Sequence, residues 1–128
     1  MNKLNKNNVE EFLKYYNNFH DSYILSINYD VLNSKIEIII GVEWVGESKL
    51  NEDNKYETKK TKIKIVFNNV QEYYFGEIFS WSIIMNTAIY SIEEDNNNVM
   101  YFKLSESSED DKLFYVKCTD IEYEDMII

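Results

Sequence analysis

Residues 22–44 read SYILSINYDVLNSKIEIIIGVEW, and the period of this stretch decides the fold. Tyr23, Leu25, Ile27 and Tyr29 alternate with Ser22, Ser26 and Asn28. Beyond Leu32-Asn33-Ser34, Ile36, Ile38, Ile40, Val42 and Trp44 alternate with Glu37, Gly41 and Glu43. Successive side chains of an extended chain point to opposite faces, so a two-residue period gathers the apolar ones on one side. Two such runs around a short polar turn predict a β-hairpin.

Downstream, Thr61, Ile63, Ile65 and Phe67 form a third alternating run. Lys62 and Lys64 on its outer face read as the lysines that discourage pairing at a sheet edge. Between hairpin and third run, residues 46–60 (GESKLNEDNKYETKK) have no apolar period and read as a long solvated loop. Asn68-Asn69 marks a turn, and residues 70–80 fit strand, irregular edge or one helical turn. Residues 81–92 (WSIIMNTAIYSI) lean to strand, although Ile84, Ala88 and Ile92 at four-residue spacing leave a helix open. Asp95-Asn96-Asn97-Asn98 is a strong turn signal. Met100, Phe102 and Leu104 begin another strand, residues 105–111 form an acidic loop, and residues 113–123 read as the last strand.

Upstream, the period is helical. Val9, Phe12, Leu13 and Tyr16 share one helix face, with Asn7 or Asn8 as cap and Asn17-Asn18 as stop. The expectation is a mainly β (α+β) single domain spanning residues 1–128. It has about six antiparallel strands in a meandering curled sheet or sandwich, and one short N-terminal helix. No βαβ crossover is present, which excludes a parallel nucleotide-binding sheet.

Charge narrows the partners. The chain has 128 residues and a formal charge of −10, and all 13 of its basic residues are lysine. Without arginine's planar fork, and with this negative balance, nucleic acid and anionic membrane surfaces are excluded as partners. A basic protein is the partner such a surface favours. Cys118 stands alone, so no intramolecular disulfide forms. No apolar run approaches the roughly 18 residues of a membrane span and no signal core is present, so the expected location is cytoplasmic.

Candidate chemistry is sparse. His20 is the only histidine, beside Asp21 and Ser22. Neighbours on a strand face opposite ways, so His20 and Asp21 are expected not to form an orienting pair there. Asp21 is expected to close the turn from helix to strand, with His20 packed beside Phe19. Cys118 reads as an inert buried thiol. The acidic runs lack the alternating ligands and central glycine of a calcium loop, so no metal and no cofactor is expected. With only Gly41, Gly46 and Gly76, no phosphate-binding loop exists, and no catalytic residue is assigned. Tyr73-Tyr74-Phe75 must present aromatics on both faces of a strand, so at least one ring is expected to be exposed unless both sides are covered. Tyr73, Tyr74 and Trp81, together with His20 and Asp21, are the candidate binding residues.

Phe19-His20-Asp21-Ser22-Tyr23-Ile24 resembles the F/L-H-D-small-x-aliphatic opening of several families of small bacterial β-rich proteins. Ile65-Val66-Phe67-Asn68-Asn69-Val70 is similar to their mid-chain strand end, and Val116-Lys117-Cys118-Thr119-Asp120-Ile121-Glu122 to their closing strand. Some of these families are domains of unknown function; others are immunity proteins that neutralise partner toxins. The resemblance implies antiparallel strands and carries over no catalytic residue. The expected function is a non-enzymatic, immunity-like binder of a basic partner protein. The alternatives are small-ligand binding in an aromatic-lined pocket and, third, a hydrolytic enzyme using His20. Monomer and homodimer both remain open.

Overall fold

In the computed structural model, residues 1–46, 49–50, 53, 56–57, 59–80, 82–106 and 112–126 are described. Strand β1 (Asn2–Leu4) leads to helix α1 (Val9–Tyr15) and a tight turn, Asn17–Phe19. Then come β2 (Tyr23–Asp30), β3 (Lys35–Val42), β4 (Lys49–Leu50), β5 (Tyr56–Glu57) and β6 (Thr61–Asn68). Strands β7 (Glu72–Phe75), β8 (Asn86–Glu94), β9 (Asn97–Ser105), β10 (Lys112–Cys118) and β11 (Asp120–Met126) complete the chain. One antiparallel sheet has the order β1-β11-β6-β3-β2 and a second the order β7-β10-β9-β8. The mainly β class is as the alternation implies. The small β4–β5 ladder lies within residues 46–60, read as loop; the rest of that stretch falls largely outside the described residues.

The hairpin forms as expected, with Asp30 opposite Lys35. The Asp30 carboxylate accepts the side-chain amide of Asn33 at 2.7 Å, and Ser34 takes a left-handed φ of 49° to complete the turn. One face assignment is corrected. The register shifts between Ile24 and Ser26, so Leu25 is the extra residue of a bulge. Ile24 before it and Ile27 and Tyr29 after it pack on the core, while Leu25 turns outward over Gly41. A methyl group built at Gly41 would stand 3.2 Å from Leu25.

Strand β6 lies between β11 and β3, so Lys62 and Lys64 do not guard an edge. They occupy the outer face of an interior strand, where Lys64 pairs across to Glu37 at 3.6 Å. The last strand is likewise two strands. Lys112–Cys118 pairs with β9 and β7, and after Thr119 the chain continues into the other sheet, pairing with β6 and β1. The Thr119 amide donates to Asn68 O at 3.2 Å and the Gln71 amide to Lys117 O at 2.8 Å, so β6–β7 turns the same corner beside it. Corners of this kind let two sheets pack with their strands crossing. Accordingly β2 spans the second sheet from edge to edge. Ser22 before it bridges Ile84 next to β8, and Tyr29 meets the Tyr73 ring on β7 at 4.7 Å. The region that left helix open is strand from Asn86 to Glu94, closed by a two-residue turn with Asp95 and Asn96 both left-handed.

Between the sheets, Ile36, Ile38, Ile40, Ile63, Ile65 and Phe67 face Phe102, Leu104, Phe114, Val116 and Cys118, all buried. Phe67, Phe102 and Phe114 meet within 6.0 Å of one another. Helix α1 closes one end with Phe12, which meets Phe19 and Tyr123. Asn8 stands at the N-cap, as one of the two expected positions, but its side chain makes no capping bond: it accepts the Asn5 amide at 2.8 Å and donates to Lys3 O. Asn17, Asn18 and Phe19 stop the helix with φ values of 52°, 56° and 55°.

Cys118 is fully buried, with Sγ 3.5 Å from Asp120 O, and burial lifts its thiol pKa to about 12. The inert-thiol reading follows from this. The native protein is expected to leave a thiol-reactive disulfide reagent untouched at neutral pH and to react with one equivalent once unfolded in urea, read by absorbance of the released thiolate.

Candidate binding surface on the four-stranded sheet

The outer face of the β7-β10-β9-β8 sheet carries a row of tyrosines that runs across all four strands. Tyr74 lies opposite Tyr115, Tyr115 is diagonal to Tyr101 at 6.4 Å, and Tyr101 lies opposite Tyr90. The Tyr90 and Tyr101 rings stack at 4.9 Å with an interplanar angle of 11°. Cross-strand aromatic pairs of this type support the sheet as well as covering it. Lys117 stands 5.7 Å over the Tyr101 ring and 3.1 Å from Glu94, whose other oxygen accepts the Tyr101 hydroxyl at 2.7 Å. The hydroxyl and ammonium together hold the Glu94 carboxyl below its ordinary pKa, and the carboxylate in turn raises that of Tyr101. Lys117 is thus neutralised within the face.

At the β7 end the row opens into a groove of about 520 Å³ lined by Gln71, Glu72, Tyr73, Tyr74 and Tyr115. Tyr73 and Tyr74 are each 50 % exposed. They straddle the strand: Tyr74 stands on the outer face and Tyr73 leans on Phe75 and Tyr29. The reading that consecutive aromatics show both faces is met by this placement. Burial, then the charge of Glu72, lifts the Tyr115 pKa to about 12; its hydroxyl lies 3.4 Å from the Glu72 carboxylate. Glu72 itself is exposed on the groove. Exposed aromatic faces beside an exposed carboxylate attract a cationic side chain, through the ring quadrupole and the charge together.

His20 and Asp21 lie elsewhere, at the start of the β2 edge. The strand begins only at Tyr23, and Asp21 takes a left-handed φ of 62°. The expected opposite-face arrangement therefore fails, and His20 Nε2 stands 3.6 Å from the Asp21 carboxylate. His20 Nδ1 lies 3.2 Å from Met85 O, so both ring nitrogens face oxygen acceptors. A neutral imidazole carries one N–H and serves one of the two. Ser22, the adjacent hydroxyl, is fully buried and accepts the Glu43 amide at 3.2 Å. Backbone bonds rather than the Asp21 side chain close the turn, His20 N donating to Asn17 O and Ser22 N to Phe19 O, each at 3.0 Å, while the Asp21 amide donates across to Ile84 O at 2.9 Å. His20 and Asp21 meet each other but not Tyr73 and Tyr74. Trp81 lies outside the described residues.

Sequence reasoning missed Tyr90, Tyr101 and Tyr115. Each sits alone in its own strand, and only strand order and register bring them into one row. Among the described residues, no cluster of three or more His, Cys, Asp or Glu side chains stands at metal-binding distance. No helix there is long and apolar enough to cross a membrane. Comparison with protein-family models, curated proteins and solved structures gives no match to this chain.

Proposed function

We propose that this chain is a non-enzymatic, immunity-like binding domain for a basic protein, and that the Tyr73–Tyr74–Tyr115 groove with Glu72 receives a lysine or arginine side chain of that partner. The observation that carries the reading is the pair of half-exposed tyrosines beside an exposed carboxylate, on a chain of formal charge −10. Tyrosine is enriched among residues that dominate binding energy, and the overall negative field speeds capture of a basic partner. The likeness of residues 19–24, 65–70 and 116–122 to bacterial families that include immunity proteins supports the same class. The lone buried thiol suits the cytoplasm, which we take as its location. A small cationic ligand would use the same groove and would compete with such a partner.

The test is affinity capture at low salt from cells of the source organism, with wild type and a Glu72→Gln/Tyr74→Ala variant side by side. A basic protein recovered by the wild type is expected to bind the variant about 30-fold more weakly. Its affinity for the wild type is expected to fall as salt rises. Partners that bind the variant as tightly as the wild type would overturn the assignment.

A further inference from the structure

Among the described residues, three of the four edges of the two larger sheets carry features that block further pairing. Strand β1 is three residues long and β7 four. Strand β2 is bulged at Leu25 and flanked by Ile78 and Phe79 across a groove. The fourth edge differs. Strand β8 has nine residues, pairs with β9 without a register shift, and takes no other strand among the described residues; the Asn17–Phe19 turn reaches only its start, where Thr87 donates to Asn18 O at 2.6 Å. Its middle, Ala88-Ile89-Tyr90-Ser91-Ile92, holds no charge, no proline and no bulge. Tyr90 is 46 % exposed and Ile92 43 %.

We propose that β8 pairs antiparallel with β8 of a second copy of this chain, about a two-fold axis at Tyr90, joining two four-stranded sheets into one of eight strands. The strand is self-complementary in that register. Ala88 falls opposite Ile92 of the second copy, and Ile89 opposite Ser91. Glu93 and Glu94 lie beyond this paired middle, level with Thr87 and Asn86 where the Asn17–Phe19 turn packs, so no carboxylate faces another even though each chain carries −10. The stacked Tyr90–Tyr101 pair also continues across the axis, making one aromatic row from two. A second copy meets these conditions because an isologous contact repeats each pair twice. The site lies at the far edge from the β7 groove and goes beyond the partner-binding reading.

Edge pairing is a small interface, so a dimer that dissociates at roughly micromolar concentration is expected. Two acidic copies repel, so added salt is expected to strengthen the dimer. Binding of a basic partner has the opposite salt dependence, and either reading can therefore fail without the other. The test is sedimentation velocity of the full chain from about 1 µM to about 1 mM. The wild type and Tyr90→Phe are expected to dimerise, and Tyr90→Glu, which sets two carboxylates at the axis, to stay monomeric.

Register is read by cross-linking. Residues directly opposite have Cβ atoms about 4.5–5.5 Å apart, near disulfide reach. Tyr90→Cys is expected to link two copies on oxidation. Ile92→Cys, about four residues from its mate and so roughly 13 Å away, is not. The natural Cys118 is buried and adds no background. A wild type monomeric at every concentration, a dimer that survives Tyr90→Glu, or equal cross-linking through Ile92→Cys would overturn the proposal.

Discussion

Replacing Phe114 with alanine is expected to lower the unfolding free energy by about 3–5 kcal/mol, the largest loss from any single truncation in the interior. Phe114 is fully buried, stacks on Phe75 at 5.5 Å, and touches both Phe67 and Phe102. It therefore ties the corner strand β10 to both sheets. The cavity has rigid walls, because β6, β9 and β10 are each hydrogen-bonded on both sides. Total stabilities of domains are commonly about 5–15 kcal/mol, so much of the folded population is at stake. Urea unfolding measures it, with a lower midpoint at an unchanged slope expected. A loss below about 1 kcal/mol would mean that the three rings do not share one packed interior. Tyr74→Ala, half-exposed at the sheet's edge, is the contrasting case and is expected to change stability little.

The second large effect is alkaline. Burial raises the pKa of Tyr16, with the Asp125 carboxylate that accepts its hydroxyl at 2.9 Å adding to the rise. Burial lifts Cys118 from 9.0 to about 12. For both groups the folded state keeps a proton that the unfolded chain releases. The stability they contribute is therefore complete below their unfolded values, 9.0 for the thiol and 10.0 for the phenol, and is lost as pH rises through the folded ones. The thiol alone corresponds to on the order of 4 kcal/mol by about pH 12. Tyr115 shifts in the same direction but is largely solvent-screened and adds little. Urea midpoints are expected to hold steady up to about pH 9 and to fall steeply beyond it. A Tyr16→Phe/Cys118→Ala variant should show a shallower fall. Equal alkaline slopes in the two proteins would contradict the assignment.

Much of the architecture is legible from local pattern. Val9, Phe12 and Tyr16 identify the helix, and the β2–β3 hairpin, β6 and the Asp95–Asn96 turn follow from period and turn chemistry. Two slips of parity mark the features that reading missed. On β2 the core-facing residues are Ile24, then Ile27 and Tyr29, because Leu25 is bulged. From β10 to β11 they are Phe114, Val116 and Cys118, then Ile121 and Tyr123. The change from even to odd positions falls at the Thr119 corner, where the chain changes sheet. Strand β1 offers only Leu4 to the core, too little for any period. The His20–Asp21 contact depends on a left-handed aspartate, which adjacent positions in a sequence do not reveal. Lys62 and Lys64 look like edge lysines because strand order is non-local. The same non-locality hid the tyrosine row. Its members come from four separate strands, and only Tyr73 and Tyr74, neighbours in sequence, drew attention to one end of it.

Both proposed surfaces require the order β7-β10-β9-β8, with the chain leaving that sheet at Thr119, since this order sets which tyrosines share a face and which strand is left at the edge. Backbone nuclear Overhauser effects across residues 112–126 report this directly. Contacts of Tyr115 and Lys117 with Tyr74 and Tyr101, giving way after Thr119 to contacts of Ile121 and Tyr123 with Phe67 and Ile65, are the expected result. Continuous pairing of residues 112–126 with one and the same neighbouring strand would contradict it.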